Sequence, residues 1–146
     1  MSRSELPPRT AYLVKQLELA MRSRLDAAVR PHGLTTIQYT ALAELRRHPG
    51  LSSAQLARRA FVSAQTMQEL VARLEHQGLV RRRPAEHNKR VLRTSLTAEG
   101  ERILAESDSA IDEIERDMLA DLEPAQVTEF RATLRLCTQR LLKDER

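Results

Sequence analysis

Between two short apolar runs, residues 81–97 read RRRPAEHNKRVLRTSLT. Arg81, Arg82, Arg83, Lys89, Arg90 and Arg93 crowd this stretch, and Glu86 is its one acid. Three chemistries fit such residues: a metal loop built on His87, a solvated turn with incidental charge, or contact with a polyanion. A metal loop needs further ligands at defined spacing. The histidines, His32, His48, His76 and His87, show no two-histidine helical spacing and no neighbouring cysteine pair, so no metal site is expected. The chain has no glycine-rich phosphate loop and no nucleophile–base pair, so neither an enzyme nor a cofactor binder is expected. Contact with a polyanion stays open beside the solvated turn.

Charge is unevenly laid along the chain. Residues 99–129 carry eleven acids against Arg102 and Arg116, the reverse of the basic stretch before them. A one-sign basic patch set against an acidic face suits a binder of phosphate backbones, whose non-specific affinity comes largely from counterion release. Two ordinary solvated faces would have the same composition, and charge alone admits both readings.

The elements that must carry this patch follow from periodicity. At 146 residues the chain fits one domain, with 3% aromatic residues and much Leu, Ala, Arg and Glu, a mainly helical composition. A helix is expected after Pro7-Pro8 to about Val29, with Val14, Leu17, Met21, Leu25 and Ala28 on one apolar face and Pro31 and Gly33 ending it. Thr35 and Gln38 have capping-box spacing and open a second helix that turns Tyr39, Leu42 and Leu45 inward. Ser52 and Gln55 repeat the box before a short third helix, and Ser63 is the expected N-cap of a fourth running to Gly78. Leu56, Ala57, Val62, Leu70 and Leu74 are expected inside, which makes this pair a helix-turn-helix.

After Gly78 the apolar period falls to two, so LVRRR and VLRTSL read as hairpin strands with PAEHNK at the tip. Thr97 is expected to cap a fifth helix with Ile103, Ser107, Ala110, Ile111, Ile114 and Met118 on one stripe, and Pro124 opens a sixth. There Val127, Phe130, Leu134, Cys137 and Leu141 form a heptad seam suited to a facing helix, which puts Cys137 in a core. The first, fifth and sixth helices each have a full apolar face around a compact unit. A two-fold dimer buries those faces, and a homodimer is favoured over one folded-back bundle. The single cysteine, no apolar leader and no apolar run of membrane length point to a cytoplasmic protein that is not in a membrane.

The order helix, helix, helix-turn-helix, hairpin, long helices resembles the MarR family (multiple antibiotic resistance regulators). The match lies in LTTIQ, GLSSAQLA, VSAQT, LEHQGLVRR and LTAEG, in register over residues 34–100. The resemblance implies a mainly α fold with a small β-hairpin, a single domain over 1–146. Its winged helix-turn-helix would be 34–97 with the wing at 79–96, and its dimerisation helices 7–30 and 98–143. It implies a transcriptional regulator, a repressor, that binds a palindromic double-stranded DNA operator as a homodimer. A small aromatic or phenolic effector would release it. Three positions depart from the family pattern: Asn88 stands where Asp is usual before the wing-tip arginine, Glu69 where a base is common, and Ala72 where an acid is common.

On that resemblance Gln65, Thr66, Gln68 and Glu69 are expected to reach base edges, with Ser63 capping the helix or touching phosphate. Arg73 would meet a phosphate, a structural acid or a base. Ser52 and Ser53 would donate to phosphate at a helix N-terminus. Arg90 would enter a minor groove, with Lys89 and Arg82 on flanking phosphates. Tyr12, Arg24, His32 and Tyr39 are polar groups that can line an effector pocket, though each taken singly also reads as a packing or surface residue. The family's peroxide sensors carry a reactive cysteine near the N-terminus, which this chain lacks. The competing reading is a winged-helix module for protein contacts or for architectural DNA binding without sequence preference.

Overall fold

The computed structural model describes residues 6–142, so the outermost positions of the expected domain, including residue 143 of the last helix, lie outside the described residues. Six α-helices and one two-stranded antiparallel hairpin are present among them: α1 Thr10–Val29, α2 Thr36–Arg47, α3 Ser53–Ala60, α4 Ala64–His76, β1 Val80–Pro84, β2 Leu92–Leu96, α5 Ala98–Met118 and α6 Pro124–Leu142. This is the mainly α fold with a small hairpin that the sequence leads one to expect. The chain divides into two compact units between Ile111 and Asp112.

Local chemistry sets the helix starts. Both capping boxes form: the Thr35 hydroxyl accepts from the Gln38 N–H and the Ser52 hydroxyl from the Gln55 N–H, each at 3.2 Å, and each glutamine returns a bond. Such caps satisfy N–H groups that a helix start leaves without partners. Thr97 starts α5 by accepting from the Gly100 N–H at 3.1 Å, while its own hydroxyl donates to the Gly78 carbonyl at 2.6 Å. Gly100 has to be glycine: a Cβ there would collide with the Leu79 carbonyl, so α5 lies directly against the chain entering β1.

The core of the first unit is built from α2, α3, α4 and the start of α5, with Leu42, Leu45, Leu56, Met67, Leu74 and Leu104 among its fully buried side chains. Periodicity had assigned Leu70 and Leu74 to the inner face of α4. Met67 and Val71 are buried more completely than Leu70, which lies at the edge of the core beside Val62. The inner stripe therefore runs 67, 71, 74, one side of the helix at spacings of four and three. In α5 the fully buried residues are Leu104 and Ser107; Ser107 and the buried Ile114 lie on the expected stripe, whereas Ile103, next to Leu104, is half-buried.

The hairpin pairs Val80 with Leu96, Arg81 with Ser95, Arg82 with Thr94, Arg83 with Arg93 and Pro84 with Leu92. Leu51 joins it by an isolated bridge to Thr94, whose N–H donates to the Leu51 carbonyl at 2.9 Å. Thus the segment between α2 and α3 forms a short third rung beside β2.

In α1 the N-terminal part of the expected apolar face is left open by the described residues: Val14, Leu17 and Met21 are 57%, 38% and 36% exposed, while Leu25 and Ala28 are half-buried. Within the second unit, Pro124 opens α6 as expected, and Arg131 reaches Glu115 at 3.1 Å. The α6 seam is likewise open. Leu134 and Leu141 are 43% and 73% exposed, and Cys137 is exposed rather than placed in a core of this chain.

Candidate nucleic-acid interface

With Met67, Val71 and Leu74 turned inward, α4 presents Gln65, Gln68, Glu69 and Arg73 on its outer side, all exposed. Helical periodicity does this: residues three and four apart share a face, and these four recur at such spacings opposite the buried stripe. Three expected base readers, Gln65, Gln68 and Glu69, therefore stand together. Thr66 is exposed as well, with its hydroxyl tied to the helix start. The Ser63 hydroxyl accepts from the Thr66 N–H at 3.1 Å and donates to the Thr66 oxygen at 2.8 Å. Ser63 thus spends its proton within the cap. Ser52 is similarly engaged in its capping box, and Ser53 is half-buried at the first turn of α3.

A shallow cleft of about 190 Å³ runs between α2 and α4, lined by Thr35, Gln38, Thr66, Glu69, Leu70 and Arg73. It brings the hydroxyl of Thr66 near the opposite charges of Glu69 and Arg73. Neither charge has an ion pair with another described residue.

The turn from α3 to α4 is tight. Phe61 closes α3 in the left-handed region, at φ 58°, and its N–H and that of Val62 both bond back to the Ala57 carbonyl. Its ring is 68% exposed beside the start of α4.

At the wing tip, the Ala85 N–H donates to the Val91 carbonyl at 2.9 Å and the Val91 N–H to the Asn88 carbonyl at 3.0 Å. The Asn88 side-chain oxygen accepts from the Arg90 backbone N–H at 3.2 Å. Lys89 and Arg90 are exposed, and no described acid pairs with either. Arg82 differs. Its guanidinium donates to Glu75 of α4 at 2.8 Å, and its backbone N–H donates to the other carboxylate oxygen at 3.2 Å. The Arg82 hydrogen bond holds the Glu75 carboxyl below its usual range, against a smaller desolvation effect of the opposite sign. A phosphate at Arg82 would have to share it with Glu75.

The four expected effector residues lie on α1, just after it and on α2. Tyr12 and Arg24 lie exposed on α1. The His32 ring nitrogen is 3.8 Å from Glu106. Tyr39 donates its hydroxyl to Asp108 at 3.1 Å, and Arg46 holds the same carboxylate at 2.5 Å. The Arg46 hydrogen bond lowers the Asp108 carboxyl, desolvation opposes it, and the Tyr39 bond adds to the lowering. This triad ties α2 to α5 and was not foreseen. No local pattern links residues 39 and 108, although an inward tyrosine hydroxyl needs a partner and α5 is rich in acids.

Also unforeseen is a larger cleft, about 480 Å³, on the other side of the wing, lined by Pro49, Gly50, Arg81, Arg83, Pro84, Glu86, Arg93 and Ser95. Strand alternation was the available signal: Arg81 and Arg83 point away from the side on which Arg82 meets α4.

Comparison with known proteins places this geometry among its relatives. Residues 32–91 match the profile of the MarR family. The HTH-type transcriptional repressor Rv2887 of Mycobacterium tuberculosis is 34% identical over 123 residues, 84% of this chain and 88% of that protein. The transcriptional regulator HosA of Escherichia coli is 32% identical over 102 residues, covering 70% and 76%. Among solved structures, Mycobacterium tuberculosis Rv2887 in complex with salicylic acid superposes with a TM-score of 0.72 at 32% identity, over 92% of this chain and 98% of that one. The DNA complex of Staphylococcus aureus MepR gives 0.82 at 21% identity over 92% and 99%, a likeness of fold.

Proposed function

Because this chain belongs to the MarR family of DNA-binding transcriptional regulators, we propose that it is a repressor that binds a palindromic operator as a homodimer and leaves it when a small aromatic or phenolic acid binds. The observation that carries this reading is the exposure, on one unit, of the polar outer face of α4 together with the acid-free tip cation Arg90. Gln65 and Gln68 can pair with adenine edges, Thr66 can meet a thymine methyl, and Glu69 can accept from cytosine N4 in a major groove. Arg90 takes a narrow minor groove, where the negative potential is greatest. Lys89, Arg73, Ser53 and the N-terminus of α3 behind Ser52 serve phosphates, as does Arg82 where Glu75 shares it. Ser63 acts through the cap that aims α4.

In this reading 34–97 is the winged helix, with its wing at 79–96, and 7–30 and 98–143 are the dimerisation helices. The uncovered apolar faces of α1 and α6 support a second copy as their cover. A two-fold pair presents two copies of α4, which is why the operator is palindromic. Among the described residues no helix is long and apolar enough to cross a membrane.

Support for an acidic aromatic effector comes from Rv2887, whose structures include complexes with salicylic acid and p-aminosalicylic acid at 32% and 31% identity to this chain. Tyr12, Arg24, His32 and Tyr39 are the polar groups assigned to its pocket. A ligand that favours a dimer with mis-spaced recognition helices weakens DNA binding by its differential affinity for that state.

Footprinting upstream of the protein's own gene, with and without salicylic acid, tests the proposal. Two protected half-sites about one helical turn apart are expected, with protection weakened by the acid. Equal protection of promoter and random DNA would favour the architectural alternative.

A further inference from the structure

We infer that the cleft on the outer side of the wing, between Arg81, Arg83 and Arg93, is a binding site for a phosphate-bearing anion, separate from the α4 face and the Arg90 tip. The hairpin register sets Arg83 directly opposite Arg93, and Arg81 opposite Ser95, so three guanidinium groups share one side of a two-stranded ribbon. Like charges directly opposite one another destabilise a strand pair. No described acid pairs with any of the three, and Glu86 is the one acid lining the cleft.

Arg93 is also positioned in advance. Its Nε donates to the Gly50 carbonyl at 3.0 Å, and a Cβ at Gly50 would run into its guanidinium. Gly50 sits at φ +87° and its own N–H is tied to the Thr94 carbonyl at 3.0 Å, so the platform under Arg93 is fixed from both sides. The cleft's volume of about 480 Å³ exceeds the need of a single water-sized ion. Planar, forked guanidinium donors converging on such a space match the oxygens of a phosphate or diphosphate. Ser95 supplies a hydroxyl at the same edge. An anion here would remove the Arg83–Arg93 repulsion that the hairpin otherwise carries.

That phosphate can belong to the DNA backbone or to a free phosphorylated molecule, and only the first source rests on the DNA-binding reading. The test uses the full chain, as wild type, as Arg81→Gln/Arg83→Gln and as Arg116→Gln, a control that removes a positive charge outside the cleft, with thermal melting to confirm the fold. Inorganic pyrophosphate is titrated calorimetrically, and binding to the footprinted duplex, with short and with extended flanks, is followed against salt. Loss of pyrophosphate binding by roughly tenfold per arginine in the double variant alone supports a free anion. A DNA salt slope shallower by about 0.9 per lost phosphate contact, seen on extended flanks, supports the backbone. The site is overturned if the double variant matches Arg116→Gln in both arms. If the wild type binds no duplex specifically, the operator reading fails while the pyrophosphate arm still decides this one.

Discussion

The side-chain oxygen of Asn88 accepts a hydrogen bond from the backbone N–H of Arg90 at 3.2 Å. It is a local turn of the kind asparagine and aspartate both make. Where the family usually carries aspartate, the bond expected to hold the tip arginine here holds its backbone and leaves the guanidinium to solvent. Asn88→Ala should therefore loosen the tip and weaken DNA binding by about 1 kcal/mol with an unchanged melting temperature, while Asn88→Asp keeps the turn. Fluorescence anisotropy on a labelled operator reads this. Wild-type affinity in Asn88→Ala would remove the turn from the mechanism.

Arg82 is bound to Glu75 on both its side chain and its backbone, which joins the wing to the end of α4. Arg82→Gln should lower stability by about 0.5–1 kcal/mol, a modest figure because the pair is partly exposed. Denaturant titration measures it. A variant with unchanged stability and a large loss of DNA affinity would instead make Arg82 chiefly a phosphate contact.

Asp108 supplies the pH dependence. Its carboxyl is lowered in the fold, first by Arg46, so the stabilisation is complete above the ordinary aspartate value of about 3.9. It is lost as pH falls through the lower folded value. Arg46→Gln should cost about 1 kcal/mol near neutral pH, and the two melting curves should converge in acid. A gap that persists unchanged at low pH would mean that Arg46 acts through packing and not through this carboxylate.

Much of this was legible because it is local. A Ser or Thr three residues before Gln predicts its own cap, and both boxes formed at Thr35 and Ser52. Period-two alternation placed the wing. What escaped needs partners far apart in the chain: Tyr39 with Asp108, or Arg93 with Gly50. Met67 and Val71 were passed over because leucines drew the stripe one position to the side. The apolar faces of α1 and α6 were read correctly as patterns, yet a single chain leaves them open, and Cys137 with them.

Phe61 holds a left-handed backbone conformation that costs a non-glycine residue roughly 1 kcal/mol, and its ring is mostly solvent-exposed. Phe61→Gly should raise the melting temperature, by relief of that cost at little loss of burial. Calorimetry decides it. A lower melting temperature would show that the ring contributes packing that outweighs the backbone strain.

Equilibrium binding of wild type and Arg90→Ala to the footprinted operator and to a scrambled duplex, across a salt series, bears most directly on the proposed division of labour between α4 and the wing. Wild type should prefer the operator, and Arg90→Ala should lose about 1–3 kcal/mol of affinity with a salt slope shallower by about 1 and an intact fold. Equal affinity of the two proteins, with the same slope and no preference between duplexes, would contradict it.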